Sequence, residues 1–202
     1  MISAYTGTQI RTAEQPFLDD GMGAVLMHRA AYGLANAVVR ELRGRGVRLY
    51  GASVAVLAGK GNNGWDGLFA AAMLAGRGMR TTAVLTAGDA HPEGLAALNK
   101  VGGRVLRLAM ENIGDATAAA VHADVVIDAV LGTGAQGGLR GPAAALIEAL
   151  GRSRPGLVVA CDIPSGVDAD NGEAHGPVLR ADLTVTFGAA KAGLLADPGA
   201  DF

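Results

Sequence analysis

Apolar and polar positions along this chain keep a helical period at first, and from residue 53 onward short apolar runs alternate with helical stretches. Over 24–43, Leu26, Met27, Ala30, Leu34, Val38 and Leu42 recur at helical spacing, with Arg29, Arg40, Glu41 and Arg43 between them. That pattern predicts an amphipathic helix with one face for packing. A shorter helix is predicted over 8–19, where a capping residue and good helix formers precede Gly21. Beyond residue 53 short apolar runs predict strands over 54–58, 81–86, 104–108, 125–130, 157–160 and 183–187. Helices are predicted between them, over 66–77, 92–101, 113–122 and 141–151. Such alternation implies right-handed crossovers and an α/β fold: a mostly parallel central sheet with helices on both faces, preceded by two amino-terminal helices. No repeat, linker or charge block divides it, so 1–202 reads as a single domain.

The strongest local signal is Gly59-Lys60-Gly61-Asn62-Asn63-Gly64-Trp65-Asp66-Gly67, between the first core strand and its helix. Gly59-x-Gly61-x-x-Gly64 matches the dinucleotide fingerprint, a weak signal when it stands alone. Asp66 changes its meaning. A carboxylate expected at the helix amino terminus would repel a pyrophosphate, so Asn62, Asn63 and Asp66 point to a hydroxylated ligand or a cation. The plain alternative is a tight turn with Asp66 as a helix cap.

Two further loops follow strands that should end at the same sheet edge. One runs from Asp128 to Gly132-Thr133-Gly134-Ala135-Gln136-Gly137-Gly138-Leu139-Arg140-Gly141-Pro142, and the other is Asp162-Ile163-Pro164-Ser165-Gly166-Val167-Asp168. In an open parallel sheet these loops share one edge, so Asn63, Asp66, Asp128, Asp162 and Ser165 are expected to converge there. Taken singly, each carboxylate also suits a cap or a turn.

Composition narrows the partner. Seventeen basic against 19 acidic residues give a net charge of -2, which advertises neither a nucleic-acid nor a membrane surface. No segment reaches the roughly 18 apolar residues needed to span a bilayer, and no leader-like start is present, so a cytoplasmic protein is expected. The single cysteine, Cys161, excludes a disulfide framework and reads as a buried, inert thiol. His28 reads as structural, while His91, His122, Glu173 and His175 lack ligand spacing, so zinc is not expected. Asp168-Ala169-Asp170-Asn171-Gly172 resembles the start of a calcium loop but lacks the downstream glutamate, and it reads as a turn.

Taken together, Leu26-Met27-His28-Arg29-Ala30, the Gly59–Gly67 block, Asp128-Ala129-Val130-Leu131-Gly132-Thr133-Gly134, Leu139-Arg140-Gly141-Pro142, Asp162 to Ala169 and Ala181 to Gly188 resemble the NAD(P)H-hydrate epimerase family, also called the YjeF amino-terminal-like domain. The resemblance covers almost the whole chain. It implies a Rossmann-like three-layer sandwich, commonly a homodimer, that interconverts the R and S epimers of hydrated NADH and NADPH with a potassium ion in its site. On the matching positions it implies Asn63, Asp128 and Ser165 as potassium ligands. Asn62, Asn63, Gly64, Trp65, Asp66, Gly132, Thr133, Gly134, Ala135, Gln136, Gly137, Gly138 and Asp162 are implied to bind substrate. Asp162 is the expected acid–base residue, because one carboxylate can protonate a departing hydroxyl and deprotonate the returning water. A dehydratase dependent on ADP or ATP is an expected partner, fused or separate, and the chain is expected to be either a short form or a piece of a longer protein.

Two positions depart from the family pattern. Trp65 stands where the family usually has glycine, and its ring is expected at the pocket rim, either blocking the ligand or stacking on it. His28 replaces a residue that is usually acidic. Two other functions remain open: a nicotinamide-dependent oxidoreductase, which would need an acidic residue nearer the second core strand than Asp89, and a non-catalytic binding module on the same fold.

Overall fold

The computed structural model describes residues 3–135 and 137–202. A short strand, β1 (Ala4–Tyr5), leads into α1 (Gly7–Asp19) and α2 (Gly23–Gly44). The alternating part follows as β2 (Ser53–Ala58), α3 (Asn62–Ala75), β3 (Arg80–Leu85), α4 (Pro92–Lys100) and β4 (Arg104–Arg107). It continues through α5 (Ile113–Val121), β5 (Val125–Ala129), α6 (Gly141–Ser153), β6 (Leu157–Cys161), β7 (Leu183–Val185) and β8 (Ala190–Lys191).

Six strands form one sheet in the order β4-β3-β2-β5-β6-β7, and every pairing in it is parallel. The chain starts at the centre, builds outward to β4, returns to β5 and builds outward on the other side. This is the doubly wound order, and it opens a crevice beyond the carboxyl ends of β2 and β5, where the winding reverses.

The strands are apolar on both faces because both faces are covered. Val54 and Val56 share one core with Leu34 and Val38 of α2 and Leu68 and Leu74 of α3. Ala55 and Leu57, which point the other way, share a second core with Ala116 of α5 and Leu146 and Ile147 of α6. Each fully buried leucine or isoleucine contributes about 1.5–3 kcal/mol relative to exposure, so two such cores hold the sheet without a covalent staple. Three layers result, as the periodicity predicts.

The expected strands and helices all occur, with shifted ends. The strands β1 and β8 were not foreseen; they pair in parallel as a separate ribbon with Tyr5 opposite Lys191. Thr6 and Gln9 form a reciprocal capping box that starts α1. Asp170 Oδ1 accepts the Gly7 N–H at 2.6 Å, fastening that helix to the loop after β6. The calcium-like stretch is the expected turn, since Asp168 Oδ1 accepts from the N–H groups of Asp170 and Asn171 at 2.8 and 3.1 Å.

Candidate active site

The turn after β2 owes its glycines to close approach. A Cβ on Gly59 would overlap the Val130 carbonyl, and one on Gly64 would overlap the Gly59 carbonyl, so here these glycines serve strand and helix packing. Helix α3 begins at Asn62, capped by an extended Gly61 whose carbonyl accepts the Trp65 N–H at 3.1 Å. The predicted start at 66 is therefore four residues late, and Asp66 lies in the second turn of the helix rather than at its amino terminus. Asn-Asn-Gly has strong turn chemistry, but tertiary packing of Gly64 on Gly59 carries it into the helix.

That shift of phase also corrects the expectation for Trp65. Its ring is 1% exposed, stacked on Phe69 with centroids 3.9 Å apart, and it meets His28 edge-on at 4.9 Å. Residues 65 and 69 are one helical turn apart and share a face. Trp65 is thus core, not pocket rim, and neither blocking nor stacking on a ligand describes it. His28 closes this cluster from α2, with Phe69 4.8 Å from its ring.

Asn63, Asp128 and Ser165 do meet. Asn63 Nδ2 donates to the carbonyls of Leu131 and Cys161, both at 2.7 Å. Asp128 is fully buried and accepts the Ser165 hydroxyl at 2.6 Å, the Ser165 N–H at 2.8 Å and the Val130 N–H at 3.3 Å. Ser165 Oγ in turn accepts the Leu131 N–H at 2.9 Å. Burial pushes the Asp128 carboxyl above its ordinary value, opposed by these hydrogen bonds. The convergent acceptors are all oxygens, with one formal carboxylate among carbonyls and a hydroxyl, a donor set that suits a hard cation. Cys161 beside them is buried, and burial pushes its thiol well above the ordinary range, consistent with an inert side chain.

Asp162 stands at the sharpest point of the edge. Its φ is +68°, a left-handed conformation in a residue other than glycine, and the Ile163 N–H bonds the Cys161 carbonyl across it at 2.8 Å. This three-residue turn turns the chain away from β6 immediately after Cys161. The Asp162 N–H is tied to the Val185 carbonyl at 2.8 Å. Side-chain Oδ1 accepts from Phe187 N at 3.2 Å, from Thr186 Oγ1 at 3.4 Å and from Lys191 Nζ in a buried ion pair.

Asp66 faces the same cleft in the opposite electrostatic situation. It is 6% exposed, and its Oδ1 is buried with no hydrogen-bond partner among the described residues. Burial first, and the neighbouring Asp162 charge second, push its carboxyl up to about 8. At neutral pH it is therefore mostly a neutral acid able to donate a hydrogen bond, in the same cleft as a carboxylate that a lysine neutralises.

Asn62, Asn63, Asp66, Gly132, Thr133, Gly134, Ala135, Gly138 and Asp162 line one cleft of about 1620 Å³ beyond the carboxyl ends of β2, β5 and β6. Gly64, Trp65, Gly137, Asp128 and Ser165 do not line it, and Gln136 lies outside the described residues. Helices α1 and α2 form the far wall, with Arg11 Nη1 bonded to the Thr133 carbonyl at 3.1 Å. Sequence reasoning missed Lys191, Thr186 and this helical wall. Asp89, the residue an oxidoreductase reading would use, is exposed, accepts the neighbouring Ala90 N–H at 2.8 Å and stands outside the cleft.

A parallel sheet wound from its centre, with a glycine-bound helix start and an Asp-x-Pro-Ser turn at one edge, has clear relatives. Residues 23–193 match the family described as YjeF-related protein N-terminus. The chain belongs to the YjeF N-terminus family. It is 42% identical over 201 residues to the NAD(P)H-hydrate epimerase of Microbacterium testaceum, covering 98% of this chain and 74% of that protein. It is 43% identical over 188 residues to the bifunctional NAD(P)H-hydrate repair enzyme Nnr of Mycobacterium leprae, covering 93% of this chain but only 37% of that protein. The crystal structure of the yeast protein YNL200c superposes with a TM-score of 0.82 at 23% identity over 95% of this chain and 83% of that one, which shows a shared fold. Among the described residues no helix is long and apolar enough to cross a membrane.

Proposed function

We propose that this YjeF N-terminus domain interconverts the R and S epimers of hydrated NADH and NADPH, a repair of damaged nicotinamide cofactors. The observation that carries the reading is the pairing of two unlike carboxyl groups, Asp66 and Asp162, in one cleft at the winding reversal. Relatives named NAD(P)H-hydrate epimerase, similar over nearly the whole chain, support it.

The chemistry asks little of the protein beyond proton control. In the hydrated ring the lone pair of the nitrogen expels the hydroxyl from the adjacent carbon, giving water and an iminium ion. Water then adds from the other face and loses a proton. The neutral Asp66 carboxyl gives the departing hydroxyl its proton, and Asp162, ionised in its pair with Lys191, takes the proton of the returning water on Oδ2, because Oδ1 takes every hydrogen bond found to its carboxylate. Passing that proton back to Asp66 restores the site. Asn62, Asn63, Gly132, Thr133, Gly134, Ala135 and Gly138 supply the bed for the rest of the substrate.

Asn63, Asp128 and Ser165 would hold a potassium ion, whose positive charge would offset the carboxylates nearby. A dehydratase completes the repair, and bifunctional relatives support its presence either in the same chain or as a separate protein. Exposed Phe17, Leu18, Val25 and Tyr32 on α1 and α2 support a homodimer, which sedimentation would detect. The burial of Trp65 removes one argument for a non-catalytic module, since its ring does not line the cleft.

The test is direct. Purified S-hydrate of NADPH, incubated with the protein, should return to the mixture of epimers far faster than in buffer, followed by chromatography. A rate equal to the buffer control defeats the proposal.

A further inference from the structure

Lys191 is 1% exposed, and it lies 29 residues along the chain from Asp162, its partner in the ion pair. A buried ammonium is costly unless paired and fully hydrogen-bonded. Here it is both. Nζ meets Asp162 Oδ1 in the ion pair, Thr186 Oγ1 at 2.9 Å and the Phe187 carbonyl at 2.7 Å. An ammonium has three N–H donors, and these acceptors use all of them. No proton is left for a ligand, so Lys191 is neither the acid nor the nucleophile of this cleft.

Resting on the epimerase reading, we infer that Lys191 is a positioning residue: it clamps Oδ1 of Asp162 and so presents Oδ2 to the returning water. The backbone on both sides is held by other means. Asp162 is fixed by its three-residue turn and its N–H bond to Val185, while Lys191 lies on β8, paired with β1. What Lys191 decides is therefore the rotation of the Asp162 side chain. The Phe187 N–H and the Thr186 hydroxyl, at 3.2 and 3.4 Å, are weaker holds on the same oxygen. Without the ammonium the carboxylate is free to turn toward solvent, and an acid–base group displaced by about 1 Å loses on the order of 100-fold in rate.

The experiment is a double-mutant cycle on Lys191→Met, Asp162→Asn and the pair, read in epimer exchange and in urea unfolding, with Lys191→Arg beside it. Lys191→Met should lower kcat by about 10- to 100-fold with KM within about twofold, because positioning and not binding is lost. Lys191→Arg should recover part of that loss. In the Asp162→Asn background, Lys191→Met should cost no more than about twofold, since nothing remains to be positioned. In urea, Lys191→Met should lower the midpoint and the double variant should recover most of it, because the partner charges leave together. Equal losses from Lys191→Met in both backgrounds, or a rise in KM alone, overturn the inference. If the wild type shows no exchange, the epimerase reading fails and the urea cycle decides the pairing, additive losses counting against it. If Lys191→Met does not fold, recovery in the double variant supports the clamp and failure there as well refutes it.

Discussion

Among the described residues two other than glycine take left-handed backbone angles, Arg154 at φ 50° and Asp162 at φ 68°, and their surroundings could hardly differ more. Arg154 is exposed at the end of α6, where its N–H closes the helix on the Leu150 carbonyl at 3.0 Å. Glycine would serve that position as well or better, since such a cap needs only the angle. Asp162 is buried in the turn after β6, and there the angle comes with a side chain that is paired, clamped and directed into a cleft. The same local cost is incidental in one place and tied to the chemistry in the other.

Replacing each residue should separate the two roles. Asp162→Gly relieves the backbone but strands the Lys191 ammonium in the interior, and it should lose about 3–5 kcal/mol in chemical denaturation. Asp162→Asn, whose amide tolerates the left-handed angle, should stay folded by circular dichroism while turnover falls about 100-fold or more. Near-normal turnover in that variant would break the comparison, because Asp162 would then be as incidental as Arg154.

Trp65 sharpens the boundary of the cleft. With its ring stacked on Phe69, Trp65→Ala should cost about 3–5 kcal/mol of stability. Its calorimetric affinity for a hydrated-cofactor analogue should change by less than about 0.5 kcal/mol, against about 1–3 kcal/mol for a ring that stacks on a base.

Asp66 carries the next effect, and its sign follows from burial. Its folded carboxyl titrates at about 8 against an ordinary 3.8, so between those values the folded state holds a proton that the unfolded chain has released. Stability must then fall as pH rises through that window and level off above it. In Asp66→Asn that contribution disappears. The difference between the two proteins should change by on the order of 1 kcal/mol per pH unit from about pH 4 to 8, in favour of the variant as pH rises, measured by urea titration. The smallest effect returns to the comparison: Arg154→Gly should gain about 0.4–1 kcal/mol and leave epimer exchange unaltered.

Much of this arrangement is legible from residue pattern because parallel strands buried on both faces leave continuous apolar runs. Val54 to Ala58 and Val125 to Ala129 are such runs, and the loops after them had to share an edge. Asp128 with Ser165, and Asp66 with Asp162, follow from that edge alone. The start of α3 did not, since Asn62-Asn63-Gly64 has turn chemistry that only the fit of Gly64 against Gly59 overrides. Trp65 was misjudged for the same reason: moving a helix start by four residues changes which neighbours its side chains meet. Lys191 was hidden for another. Its strand has two residues, and its partner lies 29 positions away, so no period or motif connects them.

Oxygen labelling tests most directly whether the hydroxyl leaves and returns under the control of Asp162. Epimerisation of hydrated NADPH in water enriched in oxygen-18 should place one solvent oxygen in each molecule of newly formed epimer, at a rate equal to epimerisation and suppressed in Asp162→Asn. Epimer formed by the wild type without solvent oxygen would contradict the account.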